Sequence, residues 1–71
     1  MNKRLLQSFM IKHGDTQETL SAALGISLSR LNAKINGTGA EFKQTEIMFI
    51  KNRYSLKAKD VDEIFFAPMV S

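Results

Sequence analysis

QETLSAALGISLSRLNAKING, residues 17–37, decides the fold of this chain. Leu20, Ala23 and Leu24 recur at helical spacing, which predicts a helix over 17–24 whose inner face they form. Gly25 can take the positive φ that ends a helix in a tight turn. Ile26 follows as an apolar plug, and Ser27 is a good N-cap for a further helix to about Asn36. In that helix Leu31 and Ile35 lie four apart and face inward. Leu28, Ser29, Asn32, Ala33 and Asn36 fall on the other side. Gly37 closes the helix. Ser21 is the small residue expected where two steeply crossed helices touch.

Upstream, Lys3 to His13 reads as a first helix with Asn2 as N-cap. Leu5, Leu6, Phe9 and Met10 form its apolar stripe, and Gly14 follows its end. Thr16 is the expected cap of the second helix, with Asp15 beside it. Downstream, Gly37-Thr38-Gly39-Ala40-Glu41 reads as a flexible loop. A fourth helix is expected from about Gln44 to Tyr54, with Ile47, Ile50 and Tyr54 inward. Phe42 with Ile47 fits a hydrophobic staple, and Glu46 stands at the third helical position of a capping box. A fifth helix repeats the scheme with Leu56, Val61 and Asp60, and Ile64 and Phe65 end it in the core. The caps of these two helices fall on Lys43 and Lys57, a poor residue type there. Strand-like alternation is nearly absent. The expected class is therefore all-α: one domain over residues 1–71, five helices, and a short apolar tail at 66–71.

Composition narrows the function. The chain has 71 residues, no Cys and one His, so neither disulfides nor a Cys- or His-based metal site is expected. No apolar run approaches the length of a membrane span. No apolar h-region follows the charged Met1-Asn2-Lys3-Arg4, so no secretory signal is expected and the cytoplasm is the expected location. The formal net charge is +3, and residues 1–54 carry eight Lys and Arg against four Asp and Glu. The positive excess thus lies with the helix pair and its flanks, as suits a nucleic-acid partner. No carboxylate pair, nucleophile with a base, or phosphate-gripping Gly loop is recognisable, so no enzyme and no cofactor or small-molecule ligand is expected. His13 reads as a helix-end residue near the negative end of the dipole.

Residues 16–37, TQETLSAALGISLSRLNAKING, resemble the helix-turn-helix of the lambda-repressor/Cro family, also called the XRE family. The Thr-Gln start, Leu20, the small residue at 21, Gly25-Ile26-Ser27 and Asn36-Gly37 carry the likeness. FKQTEIMFIKNRYSLKAKDVDEIFF, residues 42–66, is similar to small regulators encoded by phages and prophages of Gram-positive bacteria. The resemblance implies a compact five-helix DNA-binding domain that reads a double-stranded operator as a dimer. It implies base-facing roles for Ser27, Leu28, Ser29, Asn32 and Ala33. It also implies a phosphate contact for Gln17 at the positive end of the second helix, and backbone contacts for Asn36 and Lys34. Lys34 departs from the family, which often has an apolar residue there. Leu28 and Ala33 stand where longer polar side chains are common.

The chemistry agrees in kind. The Asn32 amide matches adenine N6 and N7, and Leu28 and Ala33 can touch thymine methyls. Arg30, Lys34 and Lys43 would add salt-sensitive phosphate affinity. Phe66, Met69 and Val70 are candidate dimer contacts, or else the tail folds onto its own core. The competing function is a protein-interaction module, such as an antirepressor or phage adaptor, that keeps the fold without DNA binding.

Overall fold

The computed structural model describes residues 1–66, and these form helices and turns without a strand. The chain runs through α1 (Lys3–Lys12), α2 (Gln17–Leu24), α3 (Leu28–Asn36), α4 (Gln44–Arg53) and α5 (Ala58–Val61). A π-helical turn, Asp62–Phe66, continues directly from α5. No helix among the described residues is long and apolar enough to cross a membrane.

Local chemistry sets the helix limits. The Asn2 side chain accepts the Leu5 N–H at 3.1 Å and starts α1. His13 caps its other end, one residue earlier than expected. At α2 the exchange is reciprocal. Thr16 Oγ1 accepts the Thr19 N–H at 3.2 Å, and Thr19 Oγ1 accepts the Thr16 N–H at 2.9 Å. Gly25 ends α2 at φ 74°, a left-handed conformation that costs an L side chain about 1–2 kcal/mol. Ser27 Oγ then accepts the Arg30 N–H at 3.1 Å and opens α3.

The two Lys-capped helices use half a capping box. Neither Lys43 nor Lys57 side chain caps its helix. Instead Glu46 Oε1 accepts the Lys43 N–H at 2.8 Å, and Asp60 Oδ2 accepts the Lys57 N–H at 3.0 Å.

One core joins α1 to α4 and the C-terminal π turn. Leu6 and Met10 of α1, Leu20 of α2, Leu31 and Ile35 of α3, and Ile50 of α4 bury together with Tyr54, Leu56 and Ile64. Leu24, Ile26, Phe42, Val61 and Phe65 pack against this cluster from the rim, and Phe42 meets Phe65 edge-on at 5.3 Å. Ala23, expected inside, is exposed. Leu20 and Ser21 are the buried pair of α2, and Leu24 covers its last turn only in part. The fifth helix is also shorter than expected, because its last turn widens into the π turn that carries Ile64 fully into the core. The first and last described segments meet: the Asn2 N–H donates to the Ile64 carbonyl at 2.7 Å.

Candidate nucleic-acid interface

The α2–α3 unit holds most of the residues singled out from the sequence. Its two helices pack on each other across Gly25-Ile26-Ser27. Ser21 is buried at 5% exposure, with its hydroxyl donating to the Glu18 carbonyl at 2.9 Å. The Ile26 N–H donates to the Ser21 carbonyl at 3.0 Å, which ties the turn back onto α2.

The outer side of α3 takes its shape from helical phase. At about 100° per residue, positions 28, 29, 32, 33 and 36 fall within an arc of roughly 140°. Leu28, Ser29 and Asn36 are exposed on it, and Asn32 and Ala33 are half-buried. Ser27 is exposed, but its hydroxyl oxygen is engaged as the cap of α3. Leu28 keeps 38% of its surface in solvent. Gln17 is half-buried as the first residue of α2, and Arg30 and Lys43 are exposed.

Lys34 is a correction. Its expected place is on a phosphate, yet it lies at 5% exposure inside the domain. Its ammonium donates to Glu46 Oε1 at 2.8 Å and to the Glu41 carbonyl at 3.1 Å. Helical phase explains the difference: position 34 lies about 60° from Leu31 and on the opposite side from Asn32 and Asn36. The long stem crosses the apolar rim and the charge finds a carboxylate at the start of α4. Burial works to raise the Glu46 pKa, but the Lys34 ammonium and the Lys43 N–H outweigh it and hold the carboxyl below its ordinary value.

Asn36 is exposed at the end of α3, with its side-chain carbonyl accepting from Lys3 Nζ at 3.1 Å. Its amide group faces no partner among the described hydrogen bonds. Phe66 is 58% exposed and borders a groove of about 370 Å3 lined also by Met1, Phe42, Ile47 and Phe65. Met69 and Val70, the other two expected dimer contacts, lie outside the described residues.

A second charged cluster is not foreseen by the sequence. Arg53 donates through Nε to Asp15 Oδ2 at 2.7 Å and through Nη2 to Oδ1 at 2.9 Å. The Tyr54 hydroxyl donates to Oδ2 at 2.7 Å, and Thr19 Oγ1 donates to Oδ1 at 2.8 Å. The Arg53 guanidinium, with the two hydroxyls, drives the Asp15 carboxyl far below the usual carboxylate range against the opposing effect of burial. Burial and the Asp15 charge push the Tyr54 hydroxyl well above its ordinary value. The His13 ring lies against the Tyr54 ring at a tilt of 30°, with centroids 5.0 Å apart. No local motif announces this cluster, because Asp15 and Arg53 are distant in sequence.

Among the described residues no group of three or more His, Cys, Asp or Glu is placed to hold a metal ion.

Comparison with family models, curated proteins and solved structures gave no match. The likeness to the lambda-repressor/Cro family therefore rests on the quoted residues alone.

Proposed function

We propose that this protein is a sequence-specific DNA-binding regulator of the lambda-repressor/Cro type, encoded by a phage or prophage and acting in the cytoplasm. In this reading α2 and α3 form a helix-turn-helix, and α3 lies in the major groove. The observation that carries it is the α2–α3 unit itself. Two short capped helices pack on each other across a left-handed glycine, with Ser21 buried, and α3 turns Ser29, Ala33 and Asn36 away from its buried Leu31, Lys34 and Ile35, with Asn32 at the flank and Leu28 exposed at the first turn.

Asn32 is the principal base reader, through a bidentate amide contact to adenine worth about 1–3 kcal/mol of discrimination. Ser29 and the Ser27 hydroxyl add polar contacts, and Leu28 and Ala33 supply methyl contacts. Gln17, Arg30, Asn36 and Lys43 hold the backbone. Lys34 takes no part in DNA contact. A homodimer pairs two such domains about 34 Å apart on a palindromic operator. Phe66, with Met69 and Val70, is the proposed contact between copies. Steric exclusion of polymerase is the simplest mode of action.

A protein-interaction module, such as an antirepressor or phage adaptor, is the second reading. One observation favours it: Ile11, Met48, Phe49 and Phe66 are large apolar side chains left 77%, 45%, 37% and 58% exposed. One titration separates the two. Binding to duplex DNA from the segment upstream of the protein's own coding sequence is measured at two salt concentrations. The regulator gives specific binding that weakens steeply with salt. Asn32→Ala relaxes its sequence preference, and Gln17→Ala weakens binding across all sequences. Weak, equal binding to every duplex rejects the regulator in favour of the interaction module.

A further inference from the structure

Burial of Lys34 removes the ammonium expected at the C-terminal half of α3. Another stands there instead. Lys3, the first residue of α1, donates through Nζ to the Oδ1 of Asn36, the last residue of α3, at 3.1 Å. Both residues are exposed. Lys3 is also fixed from behind. Asn2 caps α1 through its side chain, and its N–H is bound to the Ile64 carbonyl at 2.7 Å. The start of α1 is thereby held against the C-terminal π turn, and Lys3 projects from a fixed point.

Two further facts favour this site for a cation. The C-terminal end of a helix carries partial negative charge, which draws an ammonium toward it. An ammonium has three donors, and Asn36 takes one of them. Among the described residues the remaining two have no protein partner, and they stand beside Asn36, which lies on the same outer arc of α3 as Asn32 and Ser29.

We propose that Lys3 is a DNA-backbone contact, the cation that stands at the end of α3 in place of the buried Lys34, and that its ligand is a phosphodiester of duplex DNA. The proposal rests on the DNA-binding reading above. It adds a contact from α1, outside the helix pair, and makes Asn36 the residue that positions it. The anchoring of α1 to both α3 and the π turn then has a functional role as well as a structural one.

The test is the salt dependence of binding to a mixed-sequence duplex, because a phosphate contact carries no sequence information. Affinity is followed between about 50 and 200 mM salt for the parent, Lys3→Gln, Lys3→Arg and Lys12→Gln. Lys12 lies at the other end of α1, roughly 13 Å away, and Lys12→Gln makes the same change of net charge. One lost phosphate contact lowers the slope of log affinity against log salt by about 0.9. Lys3→Gln is expected to show that loss, while Lys3→Arg and Lys12→Gln keep the parental slope. An unchanged slope in Lys3→Gln overturns the proposal. So does an equal loss in Lys12→Gln, which would show a response to net charge rather than a contact. If the parent itself shows no salt-dependent binding, the DNA-binding reading fails and takes this proposal with it. Thermal unfolding of each variant separates a lost contact from a lost fold.

Discussion

Arg53 grips Asp15 through two nitrogens, at 2.7 and 2.9 Å, and so clamps the end of α4 to the turn between α1 and α2. The Asp15 side chain is 7% exposed while that of Arg53 remains 33% exposed. The carboxylate is the buried member, and it is satisfied from three sides by Arg53, Tyr54 and Thr19.

Asp15→Asn is expected to lower the free energy of unfolding by roughly 2 kcal/mol, the scale of hydrogen bonds to a charged group. Urea unfolding measures this. The same residue gives the domain an acid-sensitive term. Its folded pKa is depressed, so the unfolded chain takes up the proton first. The stabilisation is therefore complete above about pH 4 and is lost as pH falls toward the depressed folded value. Glu46 contributes in the same direction. Stability measured downward from pH 5 should fall less steeply in Asp15→Asn than in the parent. A parallel decline would remove Asp15 as the source.

The Lys34–Glu46 pair predicts a different pattern, because both side chains are nearly out of solvent at 3% and 11% exposure. Lys34→Met leaves a buried carboxylate without its ammonium, and about 3–5 kcal/mol of destabilisation is expected. Glu46→Gln leaves the ammonium without its charge partner and costs a similar amount. In the double variant Lys34→Met/Glu46→Gln neither charge remains, and the amide oxygen introduced at position 46 can still accept the Lys43 N–H. More than half of the single-variant loss should return. A double-mutant cycle by chemical unfolding reads this directly, and simple additivity of the two losses would contradict it.

The two lysine caps separate stability from function. Lys57→Ser and Lys43→Ser each place an oxygen where a helix start has no side-chain acceptor, and each should raise stability by about 0.5–1 kcal/mol. The effect on DNA should differ between them. Lys43 is proposed to touch phosphate, so Lys43→Ser lowers the salt slope of binding, and Lys57→Ser leaves it unchanged. A gain in stability with no change in slope at either position would remove Lys43 from the interface.

What can be read from the sequence follows the range of the interactions. Asn2, Thr16, Gly25, Ser27 and Gly37 act on backbone within a few residues, so their roles and the limits of α2 and α3 are readable directly. Leu31 and Ile35 are readable from phase alone. The same phase holds a signal for Lys34, which falls beside Leu31 on the inward side. Charge favours a place at the surface, and its partner Glu46 lies 12 residues away. Arg53 and Asp15 are 38 residues apart and Lys3 and Asn36 are 33 apart, so packing alone reveals either pair. Ala23 is misplaced for a related reason. Eight residues make only about two turns, and Leu20 with Ser21 already fills the inward side.

The bond between the Asn2 N–H and the Ile64 carbonyl closes residues 2–64 into a loop, with residues far apart in sequence touching at its seam. The partners of this bond are farther apart in sequence than those of the other hydrogen bonds among the described residues, so it closes the longest loop and carries the largest loop-closure entropy. It also sets a rule for engineering. An extension added at the N-terminus lands beside the π turn, and a change in that turn is felt at the start of α1. A tag placed before Met1 perturbs the same junction as a substitution at Ile64, although the two are far apart in sequence.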